Sequence, residues 1–204
     1  QGSMIFVRDQ DFHEIEAQFH EAFYTHTSTS PNQQIIASLD LARRQMELEG
    51  YELVMSAIDL ALDLRRQVNS HPLVSKFFPI LTPGEMVPRE FRASGVEDYG
   101  RGNSNWNEVL SAWENDEFAL DPTRLTIVTG RAGFDGTQFK GLLASDHDIQ
   151  INKTSRNSVL VQININNTRS DLAHLIKALA DMSRAIEKRL AEGGDEDRAA
   201  LKAR

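Results

Sequence analysis

Three consecutive hydroxyl side chains, those of Thr27, Ser28 and Thr29, stand just before an apolar-periodic segment of this sequence. The free N–H groups and the positive dipole end of a helix N-terminus favour negative charge, so hydroxyls placed beside one suit a phosphate group. Clusters of Ser and Thr are also ordinary turn and cap signals. The pattern therefore has two interpretations: an anion site, or residues that end one segment and begin the next.

The segment that follows these hydroxyls carries its own helix-start signals. Ser30 stands at an N-cap position, Pro31 at the first helical position and Gln33 three residues after the cap, which is the spacing of a capping box. The apolar spacing predicts a helix that runs to about Glu49, where Gly50 supplies a left-handed cap. This helix would hold the hydroxyls at its entrance.

Two groups of side chains have types that could bind a metal. His13, Glu16 and His20 share one face of a predicted helix, and 146–148 reads Asp-His-Asp, which could also shuttle a proton. Charged residues opposite an apolar stripe are the usual solvated face, and Asp-rich tripeptides commonly form a turn before a strand. Both interpretations stay open for each group.

Arg65 and Arg66 could hold an anionic ligand, or they could place positive charge in the last turns of a helix, where it is favourable. The segment 100–105, Gly-Arg-Gly-Asn-Ser-Asn, lacks the third glycine and the preceding strand of a dinucleotide-binding loop. It is interpreted as either a flexible active-site loop or a linker.

Apolar periodicity predicts the helices that must position these groups. The segment 11–23 has an apolar stripe by which the helix would pack, and 171–190 keeps helical spacing for five turns. The other predicted helices are 53–66 and a short one around Trp106 and Trp113 that buries an aromatic face.

Four segments are predicted as strands because β-branched residues or clean alternation dominate them. They are 4–7, 124–129, 148–152 and 158–165, and a helix-poor stretch surrounds 139–143. We expect the 171–190 helix to pack on a sheet that contains 125–129 and 159–165.

Composition excludes several classes of function. The 204 residues carry 30 acidic and 22 basic side chains, a formal net charge of −8, which argues against a nucleic-acid partner. The absence of cysteine excludes a disulfide framework, a thiolate zinc site and a thiol nucleophile, and suits the cytoplasm. No apolar run approaches the roughly 20 residues needed to span a bilayer.

Several strings of residues resemble the bacterial ornithine/lysine/arginine decarboxylases, which are pyridoxal-phosphate enzymes of the aspartate-aminotransferase fold. The most specific is His-Thr-Ser-Thr-Ser-Pro at 26–31, followed by Ile-Ile-Ala-Ser-Leu-Asp at 35–40. The resemblance extends to 1–5, 19–23, 120–122, 126–129, 135–137 and 152–154. It therefore covers nearly the whole chain.

The family's Ser-x-His-Lys signature, whose lysine forms the Schiff base with the cofactor, has no match here. None of the six lysines stands in such a context, and the signature should lie just before Gln1. The resemblance thus implies an interior piece of a larger decarboxylase of basic amino acids, with no catalytic residue of its own and no activity in isolation. The alternative is a non-catalytic binding or assembly module.

The resemblance implies an α/β fold in which the chain supplies the end of the large cofactor domain and a smaller α+β domain. The expected division is 1–86 for the large domain, 87–118 for a crossing segment, 119–190 for the small domain and 191–204 for a charged tail or truncated segment.

The same resemblance implies the site residues and partners. Ser28, with Thr27 and Thr29, is expected to bind the phosphate of pyridoxal phosphate held by a neighbouring subunit, so the complete protein would be at least a homodimer. Asn152 stands where the inducible lysine and arginine enzymes carry a glutamate, and it is the candidate substrate-binding residue. An uncharged amide at this position leaves the identity of the basic amino acid open. We expect a cytoplasmic protein with a small amino-acid substrate and neither a nucleic-acid nor a membrane partner.

Overall fold

A computed structural model describes residues 5–28, 30–100 and 105–193, and it separates into a first unit, Gln1–Glu52, and a second unit, Leu53–Arg204. Helices and strands are both present, as the α/β expectation requires. The helices are α1 Phe12–His26, α2 Gln33–Ser70, α3 Val74–Phe77, α4 Pro83–Met86, α5 Asn105–Asn115, α6 Gly136–His147 and α7 Arg169–Glu192. The strands are β1 Arg124–Val128, β2 Lys153–Thr154 and β3 Ser158–Gln162.

The first unit is helical. The prediction of a helix over 11–23 is confirmed by α1, whereas the predicted strand over 4–7 is wrong for residues 5–7, which are exposed and irregular; Met4 lies outside the described residues. No residue of α1 is buried, so its apolar stripe does not pack as expected within the described chain.

The break predicted at Gly50 does not occur. The helix α2 continues through it to Ser70, and Gly50 does not have the positive φ that a left-handed cap requires. Apolar spacing resumes at Leu53 without a proline, and a single interior glycine costs a helix only about 1 kcal/mol relative to alanine. From Ala57 to Val68 the helix then buries a continuous apolar face in the second unit.

The second unit is organised around a three-stranded antiparallel sheet of order β1-β3-β2. Leu125 pairs with Val161 and Ile127 with Val159, and the far edge of β1 is bridged by Ile80. The predicted strands at 124–129 and 158–165 are confirmed, each shorter than expected.

Two predictions near this sheet are wrong. The stretch around 139–143 lies inside α6, whose first turn is capped by Asp135 and Gln138 in a capping box. The segment 148–152 is not a strand, because Asp148 has a left-handed backbone (φ 53°) and ends α6, while the Ile149 N–H donates to the Leu143 carbonyl. Its alternation instead reflects packing, since Ile151 is buried.

The long terminal helix behaves as predicted. Thr168 caps α7, and Leu175 and Leu179 are buried in the same apolar cluster as Leu125 and Val159. The segment 171–190 is therefore one continuous helix packed on the sheet. Gly193 follows the helix, and 194–204, most of the predicted tail, lies outside the described residues.

The short helix α5 confirms the prediction around the tryptophans but not the buried aromatic face. Val109 and Ala112 are the buried residues, while Trp113 is 46% exposed. The Trp106 indole N–H donates to the Asp59 carboxylate at 2.7 Å, which fixes the ring against α2. Within the described ranges, no helix is long and apolar enough to cross a bilayer.

Candidate functional site

The predicted phosphate-binding hydroxyls lie in the loop between α1 and α2. The Thr27 hydroxyl donates to the Phe23 carbonyl at 2.7 Å, so it helps to end α1. The Ser28 hydroxyl forms a tight local turn with Ser30: it donates to the Ser30 carbonyl at 3.3 Å and accepts the Ser30 N–H at 3.2 Å. Thr29 lies outside the described residues.

The cap of α2 differs from the prediction. Asn32, not Ser30, caps the helix: its side-chain oxygen accepts the Gln34 N–H at 3.0 Å and the Ile35 N–H at 3.1 Å. Ser30 and Gln33 therefore do not form the predicted capping box, because Gln33 is already the first helical residue. Two of the amide groups that a helix N-terminus offers to an anion are thus engaged by Asn32.

This loop offers a phosphate monoester two hydrogen-bond donors in its described part, the hydroxyls of Thr27 and Ser28. Both described hydroxyls are exposed, and the positive end of α2 begins a few residues later. Ser28 is the better donor of the two, because its bond to the Ser30 carbonyl is long, whereas the Thr27 hydroxyl has a short bond within α1. The residues fit the phosphate end of pyridoxal phosphate, not its reactive ring.

The lysines of the described chain have surface environments. Lys76 pairs with Glu187 at 3.2 Å and Lys177 with Asp181 at 3.1 Å, and both lysine side chains are more than half exposed. Lys188 and Lys153 are also exposed, and Lys140 is half-buried on α6. Among the described residues no lysine is buried in a site that could enclose a cofactor ring.

Asn152 lies in the second unit, on the wall of a groove of about 500 Å³ between the end of β3 and the start of α7. Its side chain is exposed to this groove, which is mainly polar. The polar lining comprises Asp148, Gln150, Asn152, Gln162, Asn164, Asn167, Asp171 and His174. Two carboxylates and several amide oxygens make the groove suitable for a cation.

Hydrogen bonds at the start of α7 stabilise the negatively charged form of Asp171. The Thr168 backbone N–H donates to the Asp171 carboxylate at 2.8 Å and the Thr168 hydroxyl at 3.1 Å, and these bonds hold the pKa of Asp171 below its usual value. His174 adds a smaller effect in the same direction, and its Nε2 lies 2.7 Å from the His147 carbonyl. Asp171 therefore stays ionised under mildly acidic conditions.

The sequence-based metal candidates find no support in the described part of the chain. No group of three or more His, Cys, Asp or Glu side chains there is arranged to hold a metal ion. His20 faces Glu16 at 3.7 Å on the exposed side of α1, which fits the solvated-face interpretation. Of the Asp-His-Asp tripeptide, Asp148 ends α6 and Asp146 accepts a bond from Ser145.

The sequence interpretation placed Arg65 near a helix end but did not predict its burial. Arg65 lies in the penultimate turn of α2, it is only 1% exposed, and its guanidinium donates to the Leu81 carbonyl at 2.5 Å. Burial lowers the pKa of Arg65, and its Nε has no hydrogen-bond partner among the described residues. Arg66 instead pairs with Asp63 near the surface. The central segment 101–104 of the glycine-containing loop lies outside the described residues.

Comparison with known proteins gives a consistent result. A protein-family model described as "Orn/Lys/Arg decarboxylase, major domain" matches residues 1–171. The inducible lysine decarboxylase of Escherichia coli is 28% identical over 201 residues, covering 93% of this chain and 27% of that protein. An arginine decarboxylase of Bacillus cereus is 26% identical over 167 residues, covering 82% of this chain and 30% of that protein.

The fold comparison agrees with the sequence comparison. The crystal structure of the Francisella novicida lysine decarboxylase LdcF superposes with a TM-score of 0.59 at 26% identity, covering 85% of this chain and 25% of that chain. The chain thus spans little more than a quarter of the length of the relatives that it matches.

Proposed function

This chain belongs to the Orn/Lys/Arg decarboxylase family, and we propose that it is one part of a pyridoxal-phosphate-dependent decarboxylase that converts lysine, arginine or ornithine into the corresponding amine and carbon dioxide. The observation that carries the proposal is the family match over residues 1–171, which includes both the hydroxyl loop and Asn152. Relatives named lysine decarboxylase and arginine decarboxylase support the substrate class.

In this proposal the hydroxyl loop binds the phosphate end of the cofactor. The Ser28 hydroxyl donates to a phosphate oxygen, and Thr27 and Thr29 are the next candidate donors. When bound, pyridoxal phosphate supplies the electron sink for the pair of electrons that departing carbon dioxide leaves behind. The hydroxyls contribute affinity and orientation. The phosphate would belong to the cofactor of a neighbouring subunit, which makes the complete protein at least a dimer.

Asn152 and the groove around it are proposed to meet the cationic end of the substrate. The Asn152 amide oxygen accepts one N–H, while Asp148 and Asp171 supply the negative charge that an amide lacks. Substrate selection would then depend on groove length more than on one carboxylate. We further propose that 1–86 completes the large domain and that 119–190 forms the small one.

The second candidate is a non-catalytic binding or assembly module. One observation favours it: the lysines of the described chain are exposed or only half-buried, and the chain lacks a Ser-x-His-Lys sequence.

For the enzyme, the same observation leads us to propose that the cofactor-bearing lysine is supplied by polypeptide outside these 204 residues, and that the isolated chain is inactive. We also propose a cytoplasmic location, which the absence of cysteine suits.

Carbon dioxide release from lysine, arginine and ornithine tests the proposal directly. The complete polypeptide in which this chain occurs, saturated with pyridoxal phosphate, should decarboxylate at least one of the three, whereas the 204-residue chain should release none. A complete polypeptide that binds the cofactor but decarboxylates none of them would refute the enzyme assignment and favour the module. Activity of the isolated chain would refute the assignment of the reactive lysine to polypeptide outside it.

A further inference from the structure

The turn that joins β2 to β3, residues 155–157, lies directly against the first residue of α6. Gly136 is buried there, and its N–H donates to the Arg156 carbonyl at 3.2 Å. A Cβ atom on Gly136 would lie 2.6 Å from the Ser158 carbonyl oxygen and closer still to that of Ser155. Both obstacles are backbone atoms, which cannot rotate away as a side chain would. Position 136 therefore requires glycine for a close approach, and not for a left-handed φ, which it does not have.

A second set of hydrogen bonds holds the same turn from the end of β1. The N–H groups of Thr129 and Gly130 donate to the Asn157 carbonyl at 2.8 and 3.0 Å. The Ser155 N–H donates to the Ser158 carbonyl at 2.8 Å and closes the turn itself. The β2–β3 turn is therefore fixed by backbone bonds both to α6 and to the segment that follows β1.

The β2–β3 turn is close in sequence to the candidate substrate contact. Only β2, which consists of Lys153 and Thr154, separates the turn from Asn152. Both residues of β2 pair with β3, so the strand and the turn belong to one hairpin. A strand of two residues is too short to absorb a displacement of the turn. A displaced turn would therefore move Asn152 as well.

The helix α6 connects this turn to the negative charge of the groove. Its first residue, Gly136, contacts the turn, and Asp148 follows its last residue, 12 residues later. Asp148 and Asn152 line the same groove, whereas Gly136 is buried away from it. The contact at Gly136 therefore helps to set where the Asn152 amide lies relative to the Asp148 carboxylate.

We propose that Gly136 is a positioning residue for Asn152, a role that rests on the proposed function of Asn152 in binding the cationic end of the substrate. Through the β2–β3 turn, Gly136 keeps the Asn152 amide in the groove. Alanine at position 136 would force the turn to move by roughly 1 Å, because nonbonded heavy atoms rest about 3.5 Å apart. A hydrogen bond from the substrate to Asn152 would be lengthened by a shift of that size and weakened.

Decarboxylation kinetics of the complete polypeptide with lysine, ornithine and arginine test this role. Gly136→Ala should raise the KM for the substrate that the wild type uses best by about threefold or more, and kcat should stay within about twofold. The reason is that Asn152 would bind the distal end of the substrate and not the reacting atoms. Gly141→Ala is the matched control on the same helix, because a Cβ there meets no other part of the protein within 4 Å. Its KM should equal that of the wild type.

A double-variant cycle separates positioning from a general structural effect. Asn152→Ala should raise KM by itself, and Gly136→Ala should add less than about twofold when position 152 is already alanine. Effects that multiply in full would overturn the positioning role and leave the proposed function intact. A wild-type KM for Asn152→Ala would also overturn the role, because there would be no contact to position.

Amide hydrogen exchange of the 204-residue chain, measured by NMR, tests the backbone part without substrate or cofactor. The amides of Gly130 and Ser155 should exchange about tenfold or more faster in Gly136→Ala than in Gly141→Ala, while that of Ile127 in β1 should not change. Equal exchange in the two variants would refute the dependence of the turn on Gly136. This result stands even where the wild type decarboxylates none of the three amino acids, an outcome that would refute the proposed function and the substrate role together.

A milder variant replaces Gly136→Ala where that substitution prevents folding. In Gly130→Ala the new Cβ would meet the Asn157 side chain at 3.0 Å, an obstacle that can move more easily than backbone. This variant should raise KM and accelerate exchange at Ser155 in the same direction and to a smaller extent. Wild-type values for both measurements would count against the positioning role of the turn.

Discussion

Truncation of Leu179 to alanine should destabilise the second unit substantially. Leu179 lies on α7, is fully buried, and shares an apolar cluster with Leu125 of β1 and Val159 of β3. The substitution removes three carbon groups, worth about 2.4 kcal/mol at about 0.8 kcal/mol each. The incompletely filled cavity adds to this loss, so we expect about 3–4 kcal/mol in total.

Urea unfolding monitored by tryptophan fluorescence is the appropriate assay. Both tryptophans, Trp106 and Trp113, lie in the second unit, so the signal reports on the unit that contains Leu179. The free energy of unfolding should fall by the stated amount, and the melting temperature by roughly 6–16 °C at about 2–4 °C per kcal/mol. Leu110→Ala is the control, because a side chain 45% exposed on α5 should change stability by no more than about 0.5 kcal/mol.

The comparison of the two variants has a clear refuting outcome. A loss below about 1 kcal/mol for Leu179→Ala would lie outside the range for a fully buried leucine. In that case α7 would not be packed on the sheet as described. Equal losses for Leu179→Ala and Leu110→Ala would instead mean that shortening a helical leucine side chain, whether buried or exposed, determines the loss of stability.

Three further predictions concern the candidate site and its surroundings. Ser28→Ala in the complete enzyme should weaken pyridoxal phosphate binding by about 0.5–3 kcal/mol, as measured by cofactor titration; Ser30→Ala is the control, and an unchanged dissociation constant for Ser28→Ala would contradict the contact. Borohydride treatment of the isolated chain with pyridoxal phosphate should label no single lysine stoichiometrically, and one fully labelled lysine in the peptide map would disprove the assignment of the reactive lysine to other polypeptide. Asp171→Asn should flatten the loss of stability on acidification. Thr168 holds the folded-state pKa of Asp171 below the usual 3.8. The ionised Asp171 therefore stabilises the fold above pH 3.8, and this stabilisation disappears as pH falls through the folded-state pKa. Urea midpoints that change in parallel for wild type and variant between about pH 6 and about pH 3 would refute the prediction.

Secondary structure could be predicted from the sequence where the apolar spacing was long and uninterrupted. Twenty residues of helical spacing from Asp171 and β-rich runs at 124–129 and 158–165 predicted α7, β1 and β3 and their packing. Short or mixed signals were less reliable. The alternation at 148–152 resembles a strand, but the left-handed Asp148 and the Ile149 to Leu143 hydrogen bond belong to the end of α6, and only the folded chain reveals that hydrogen bond.

Sequence predicted which residues share the hydroxyl loop, but it did not predict their hydrogen bonds or which distant residues lie near them. Thr27 and Ser28 do share one loop at a helix start, but Ser30 and Asn32 are both good cap residues, and sequence cannot determine which of them the entering chain presents to the helix. The carboxylates near Asn152 come from the residue that ends α6 and from α7, so their convergence depends on tertiary packing. The burial of Arg65 was missed for a related reason, since the carbonyl that accepts its hydrogen bond, that of Leu81, is 16 residues away in sequence.

The two borders of the small sheet bear on how this protein behaves at high concentration. The outer side of β1 is closed by the segment around Ile80: the Leu81 N–H donates to the Thr126 carbonyl, and the Val128 N–H donates to the Pro79 carbonyl. The other border, β2, is only two residues long and includes the exposed Lys153. Open strand edges are the usual templates for intermolecular β-pairing, and short, charged or covered edges prevent it. Neither border is therefore a long open strand, which disfavours fibrillar association through this sheet in the folded state.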